Sequence, residues 1–172
     1  MKTLIVIALA ILFVACSKKQ DDGSLKTVLL QQLKNSHTKE EWFAPINVAV
    51  NGVTAEQSNW KDSSDNHSIG QLVSHLVFWN ERVLKSFQGN TPPNFEGDNA
   101  TTFTQLNENE WNAATRKLDS IQTMFEQLVE TGSDDQLKEW SSTISNIGMH
   151  NAYHTGQIIY IRKRNGWWKP AR

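Results

Sequence analysis

The chain reads as an all-α domain, a four-helix bundle with long connections, on three observations. Apolar residues recur at three- and four-residue spacing in four long segments. No stretch of useful length alternates apolar with polar residues as a half-buried strand does. Two boxes, Thr54-Ala55-Glu56-Gln57 and Ser68-Ile69-Gly70-Gln71, stand where helices would begin. The length of 172 residues suits one domain, and neither an internal repeat nor a low-complexity tract interrupts it.

The first fifteen residues are a separate object. Lys2 gives a positive start and Leu4 through Ala15 is an unbroken apolar run, too short for the ~20 residues that span a bilayer, so residues 1–15 read as a signal peptide. Phe13-Val14-Ala15-Cys16 resembles a bacterial lipobox, with Phe13 in place of the usual leucine, and marks Cys16 for lipidation. The attached acyl chains would tether the protein durably to a membrane. As Cys16 is the only cysteine, disulfides and thiol nucleophiles are excluded from the mature domain. Residues 16–24 then read as the lipidated cysteine and a solvated tether, and residues 25–172 as the bundle domain.

Leu25, Val28, Leu29 and Leu33 set a first helix to about Asn35. A mixed stretch from Ser36 to His67 follows. In it Pro45 opens a short helix that Gly52 ends, and the Thr54 box starts another short turn leading to Trp60. Behind the Ser68 box, Ile69, Leu72, Leu76, Trp79, Val83 and Phe87 form a stripe. Thr91-Pro92-Pro93 and Gly97-Asp98 make Gly89 to Ala100 a long connection. Glu108 to Val129 is the longest periodic stretch, with Trp111, Ala114, Leu118, Ile121, Phe125 and Leu128 on one face and Thr131-Gly132 as its stop. A polar connection is expected from Ser133 to Ser142. The last helix carries Ile144, Ile147, His150, His154, Ile158 and Ile161, with Arg162, Lys163 and Arg164 matched to its dipole and Asn165-Gly166 as its cap.

A formal net charge of −1 gives no argument for nucleic acid as a partner. The seven tryptophans read as packing and rim residues rather than as a stacking surface. The informative residues are histidines. His150 and His154 are four apart on a helix, one above the other on one face, so both imidazoles can reach one metal ion. His75, among the apolar positions of its own helix, is the best third ligand. Three neutral imidazoles leave coordination positions for water or substrate. Between the pair stand Asn151, Ala152 and Tyr153, none a general base, which rules out the His-Glu-x-x-His protease pattern. His37 and His67 fall in connections and read as solvated or capping residues, and Glu81 and Asp119 as surface charges.

His150-x-x-Tyr153-His154-x-Gly156-Gln157-Ile158, followed by Arg162, resembles the C-terminal signature of the DinB/YfiT-like superfamily. Ser68 to Leu76, followed by Trp79, resembles its second-helix motif, and the resemblance extends from about Leu25 to Trp168. It implies an up-down-down-up bundle and a metal site of His75, His150 and His154. It implies nickel or zinc as the divalent ion, and for some members thiol S-transfer with bacillithiol, mycothiol or glutathione. Gln157 belongs to the motif and would orient a ligand from behind.

The resulting expectation is a metal-dependent hydrolase or transferase of unknown small-molecule substrate, exported and lipid-anchored through Cys16. Low-molecular-weight thiols are cytoplasmic reductants, so export argues against thiol transfer. The alternative is a non-catalytic lipoprotein that binds a metal or a small ligand. A third reading is an interaction module whose histidines merely pack. Ser17 after the cysteine leans toward the outer membrane, and a homodimer is compatible with the sequence.

Overall fold

The structure is a computed structural model that describes residues 23–169. The expected signal peptide, residues 1–15, and the lipidation residue Cys16 lie outside the described residues. Helix α1 spans Leu25–His37, α2 Ile46–Val50, α3 Ala55–Asn59, α4 Ile69–Phe87, α5 Glu108–Thr131 and α6 Asp134–Arg164, with a 3₁₀ turn at Asn99–Thr102 before α5. No strand is present among the described residues. None of these helices is long and apolar enough to cross a membrane.

Local chemistry sets the helix starts. Thr54, Ser68 and Asn107 each accept from the backbone N–H three residues on, and the Gln57, Gln71 and Glu110 side chains return the bond to the cap. Ser24, expected in the tether, caps α1 by accepting from Thr27 N. Gly166, with φ of 71°, takes the left-handed position after α6.

The four long helices surround two apolar clusters. One joins Ile69, Leu72 and Leu76 of α4, Trp111 and Leu118 of α5, and Ile158 and Ile161 of α6, covered by Ile46 and Ala49 of α2. The other joins Leu29 and Leu33 of α1, Leu84 and Phe87 of α4, Phe125 and Val129 of α5, and Leu137, Ile144 and Ile147 of α6. Helices α4 and α5 therefore run the same way, with α6 against them. Parallel neighbours cannot be joined by a tight turn, which is why residues 88–107 form a long crossing connection.

Two expectations need correction and a third gains detail. The polar connection at Ser133 to Ser142 does not exist, because Ser133 caps a 31-residue helix that begins at Asp134. Two aspartates in its first turn suit the helix dipole, and Leu137 is buried beneath the polar outer face. Arg162 stands in the basic last turn of α6 as expected, with a further role. It is buried and donates from Nη1 to the carbonyls of Ala49 (2.7 Å) and Val48 (3.2 Å), closing α2 against α6. Of the tryptophans, Trp111 is buried and donates to Val53 O, whereas Trp42 is 95% exposed.

Candidate metal centre

Where the two apolar clusters part, α4 and α6 turn polar residues toward each other. Asn80 Nδ2 donates to Asn151 Oδ1 at 2.9 Å and to Leu76 O at 2.7 Å, fixing the two helices in register. One turn away, His75 of α4 meets His150 and His154 of α6. His75 Nε2 and His150 Nε2 are 3.1 Å apart, His154 Nε2 and His150 Nε2 3.0 Å, and one ligand atom from each residue falls within 4.8 Å of the others. The rings meet nearly edge to face, at interplanar angles of 71°, 72° and 81°, so the nitrogens converge instead of the faces stacking.

Two of the three outer nitrogens are held. Thr102 Oγ1 donates to Asn99 O at 2.7 Å, so toward His75 Nδ1, 2.6 Å away, it can only accept. His75 thus carries its proton on Nδ1 and turns the Nε2 lone pair inward. His154 Nδ1 lies 2.6 Å from Gln157 Oε1, an acceptor, which sets the same tautomer. The Gln157 carboxamide nitrogen faces the Tyr153 hydroxyl at 3.4 Å.

Electrostatics favour the neutral forms. Burial, and then the neighbouring imidazoles, push His75 from its ordinary 6.5 down to about 4. Burial and His154 do the same to His150, also to about 4. His154 shifts down too, chiefly through burial. Near neutral pH the cluster offers lone pairs rather than protons, as a metal ligand set must. Zn–N bonds of about 2.0–2.1 Å put tetrahedral ligand atoms ~3.3 Å apart, close to the observed separations. The donor set fits a divalent ion.

The surroundings shape access. Phe103 stacks on His75 at 4.0 Å and on His67 at 3.7 Å, closing one side with a three-ring stack. A cleft of about 380 Å³ leads to His75 and His150, walled by Trp79, Val83, Asn99, Thr143, Asn146 and Ile147. Trp79 is pinned by its indole N–H to Asn99 Oδ1 at 3.0 Å. No residue lining this cleft carries a carboxylate.

The structure brings His75, His150, His154 and Gln157 together. His67 stays in a connection, partly exposed, and stacks on Phe103, whereas His37, expected as a solvated or capping residue in a connection, is the buried last residue of α1. His37 is buried between two carboxylates, with Nδ1 2.7 Å from Glu126 Oε1 and Nε2 3.0 Å from Asp119 Oδ1. Burial draws the imidazolium down, but the hydrogen bonds and charges of Glu126 and Asp119 outweigh it and His37 is shifted up. Asp119, exposed as expected of a surface charge, also bonds His37 and Asn47 Nδ2 (2.7 Å), while Glu81 pairs with Lys85 and Lys117. Thr102 and Phe103 went unrecognised in the sequence, since nothing local there marks a contact with His75.

A helical bundle that gathers three histidines from two of its helices at one buried point has the architecture of bundle proteins that build metal sites from inward side chains. The chain belongs to the DinB superfamily, whose family model matches residues 39–158 and so takes in all three histidines. No curated protein and no solved structure matches the chain.

Proposed function

We propose that His75, His150 and His154 hold a divalent ion, nickel or zinc, and that the protein is a metal-dependent hydrolase or transferase acting on a small molecule in the Trp79 cleft. The observation that carries this is the convergence of three imidazole Nε2 atoms, two of them with the outer nitrogen tied to Thr102 or Gln157. A divalent ion there supplies Lewis acidity. The chain's own residues do the rest. Thr102 and Gln157 fix ring orientation and tautomer, Phe103 and His67 shield one side of His75, and Trp79 offers an apolar wall to the substrate. The cleft residues Asn99, Thr143 and Asn146 supply hydrogen bonds that orient a polar group.

The proposed site is carried outside the cytoplasm on a lipidated Cys16, a reading that rests on the Phe13 to Cys16 motif. The lack of a carboxylate in the cleft favours one other reading, capture of a metal or small ligand without turnover. The test is incubation of the metal-loaded full chain, in detergent, with ester and amide substrates and with thiol cofactors plus electrophilic acceptors. Turnover that disappears in His75→Ala supports an enzyme. Ligand retention with no turnover above that variant would leave the binding reading.

A further inference from the structure

Gly156 stands in the middle of α6, where glycine is the least favourable residue other than proline. It is exposed, its φ is not in the left-handed range, and beyond its chain neighbours and the backbone of its own helix a Cβ built on it would meet nothing within 4 Å. Neither a turn nor close helix packing accounts for it. The missing side chain leaves bare the floor of a second cleft, of about 320 Å³, distinct from the one leading to His75 and His150. Tyr153 and Tyr160 flank that floor on α6 and are 64% and 63% exposed, roughly 10 Å apart along the helix axis. The opposite wall is the segment after α3, with Trp60 held edge-on against Trp167 at 5.8 Å, and with Lys61 and His67.

The charges in this cleft do not cancel. Arg164 is neutralised by Asp62, whereas Lys61 has no ion-pair partner among the described residues. His67, shifted down by burial and then by Lys61, adds no charge near neutral pH. One positive charge remains beside three aromatic rings and a strip of bare backbone.

We propose that this cleft is a second small-molecule site, for a planar aromatic monoanion whose ring lies over Gly156 between Tyr153 and Tyr160 and whose acidic group faces Lys61. The Gly156 strip accepts a flat ring that any larger residue would exclude, and the tyrosines stack on its ends. The site borders the histidine cluster through Gln157, through Tyr153, whose ring lies 5.0 Å from that of His154, and through His67 on the Phe103 stack, and its occupancy does not depend on a bound metal.

The test is calorimetric titration of the full chain, in a non-ionic detergent, with naphthalene-2-sulfonate, the neutral naphthalene-2-sulfonamide and methanesulfonate. The aromatic anion binds about tenfold or more tightly than either analogue, because ring and charge both contribute. Gly156→Leu weakens it by about tenfold or more with no fall in melting temperature, since leucine is the better helix former. Gly156→Ala, smaller still, raises the melting temperature and weakens binding in the same direction. Lys61→Gln removes the preference for the anion over the sulfonamide. Binding that persists in His154→Ala separates this site from the metal reading. Equal binding by wild type, Gly156→Leu and Lys61→Gln, or none by wild type, overturns the proposal.

Discussion

Replacing Thr102 by valine changes the candidate metal centre without touching a ligand. Valine keeps the shape of threonine, and the site is buried, so packing is preserved while the hydroxyl is lost. Two bonds go with it, the 2.6 Å contact to His75 Nδ1 and the 2.7 Å bond to Asn99 O. His75 can then avoid an unpaired Nδ1 proton by moving it to Nε2, which takes that nitrogen out of the ligand set. Removing such an orienting partner lowers metal affinity by about 10- to 100-fold, or about 1.4–2.7 kcal/mol. Asn99 is exposed, so water can take up its released carbonyl and the cost to folding stability is small beside the loss of metal affinity. The assay is competition for nickel or zinc against a chromophoric chelator, with Thr115→Val on α5 as the control, since Thr115 donates only to carbonyls of its own helix. Thr102→Val holding metal as tightly as wild type would refute an orienting role for this threonine.

Other consequences can be measured on stability. Arg162→Met leaves the carbonyls of Val48, Ala49 and Trp167 without their donor and costs about 3–5 kcal/mol in urea unfolding, and Arg162→Lys does not restore it because one ammonium cannot reach all three. Leu137→Ala, in the turn of α6 that the sequence had suggested was a connection, costs about 2–5 kcal/mol, and a change under ~0.5 kcal/mol would mean that this turn does not pack. In the metal-free protein the histidines shape two limbs of the stability profile on either side of the ordinary imidazole value of 6.5. Below that value the unfolded chain takes up protons that His75 and His150, neutral down to about 4, refuse, so stability falls with pH. Above it the contribution of His37, whose folded pKa is raised, is lost as pH rises through that folded value, and His37→Gln should flatten this upper limb of a urea-midpoint profile.

What could be read from the sequence was what depends on neighbours in the chain. The Thr54 and Ser68 capping boxes located two helix starts because each box acts within four residues. The His150 and His154 pair was legible for the same reason, since helical spacing alone puts two residues four apart on one face. The start of α6 was not, because Leu137 and Trp140 stand among charged and hydroxyl residues and their burial comes from Phe87, Phe125 and Val129 on other helices. His37 was misread because its partners Asp119 and Glu126 lie 82 and 89 residues further on. Thr102 is 27 residues from His75 and reaches it only because the connection after α4 folds back over that helix. Gly156, by contrast, is visible in the sequence as a helix-interior glycine, and only the structure shows that nothing inside the protein requires it.

The most direct measurement is elemental analysis of the full chain, purified in detergent without added metal or chelator, beside His154→Ala and the control Thr115→Val. About one equivalent of nickel, zinc or another divalent ion in wild type and control, lost in His154→Ala together with any metal-dependent rise in melting temperature, is the expected result. Equal metal content in wild type and His154→Ala, or none in either even after loading, would contradict a metal centre built on His75, His150 and His154.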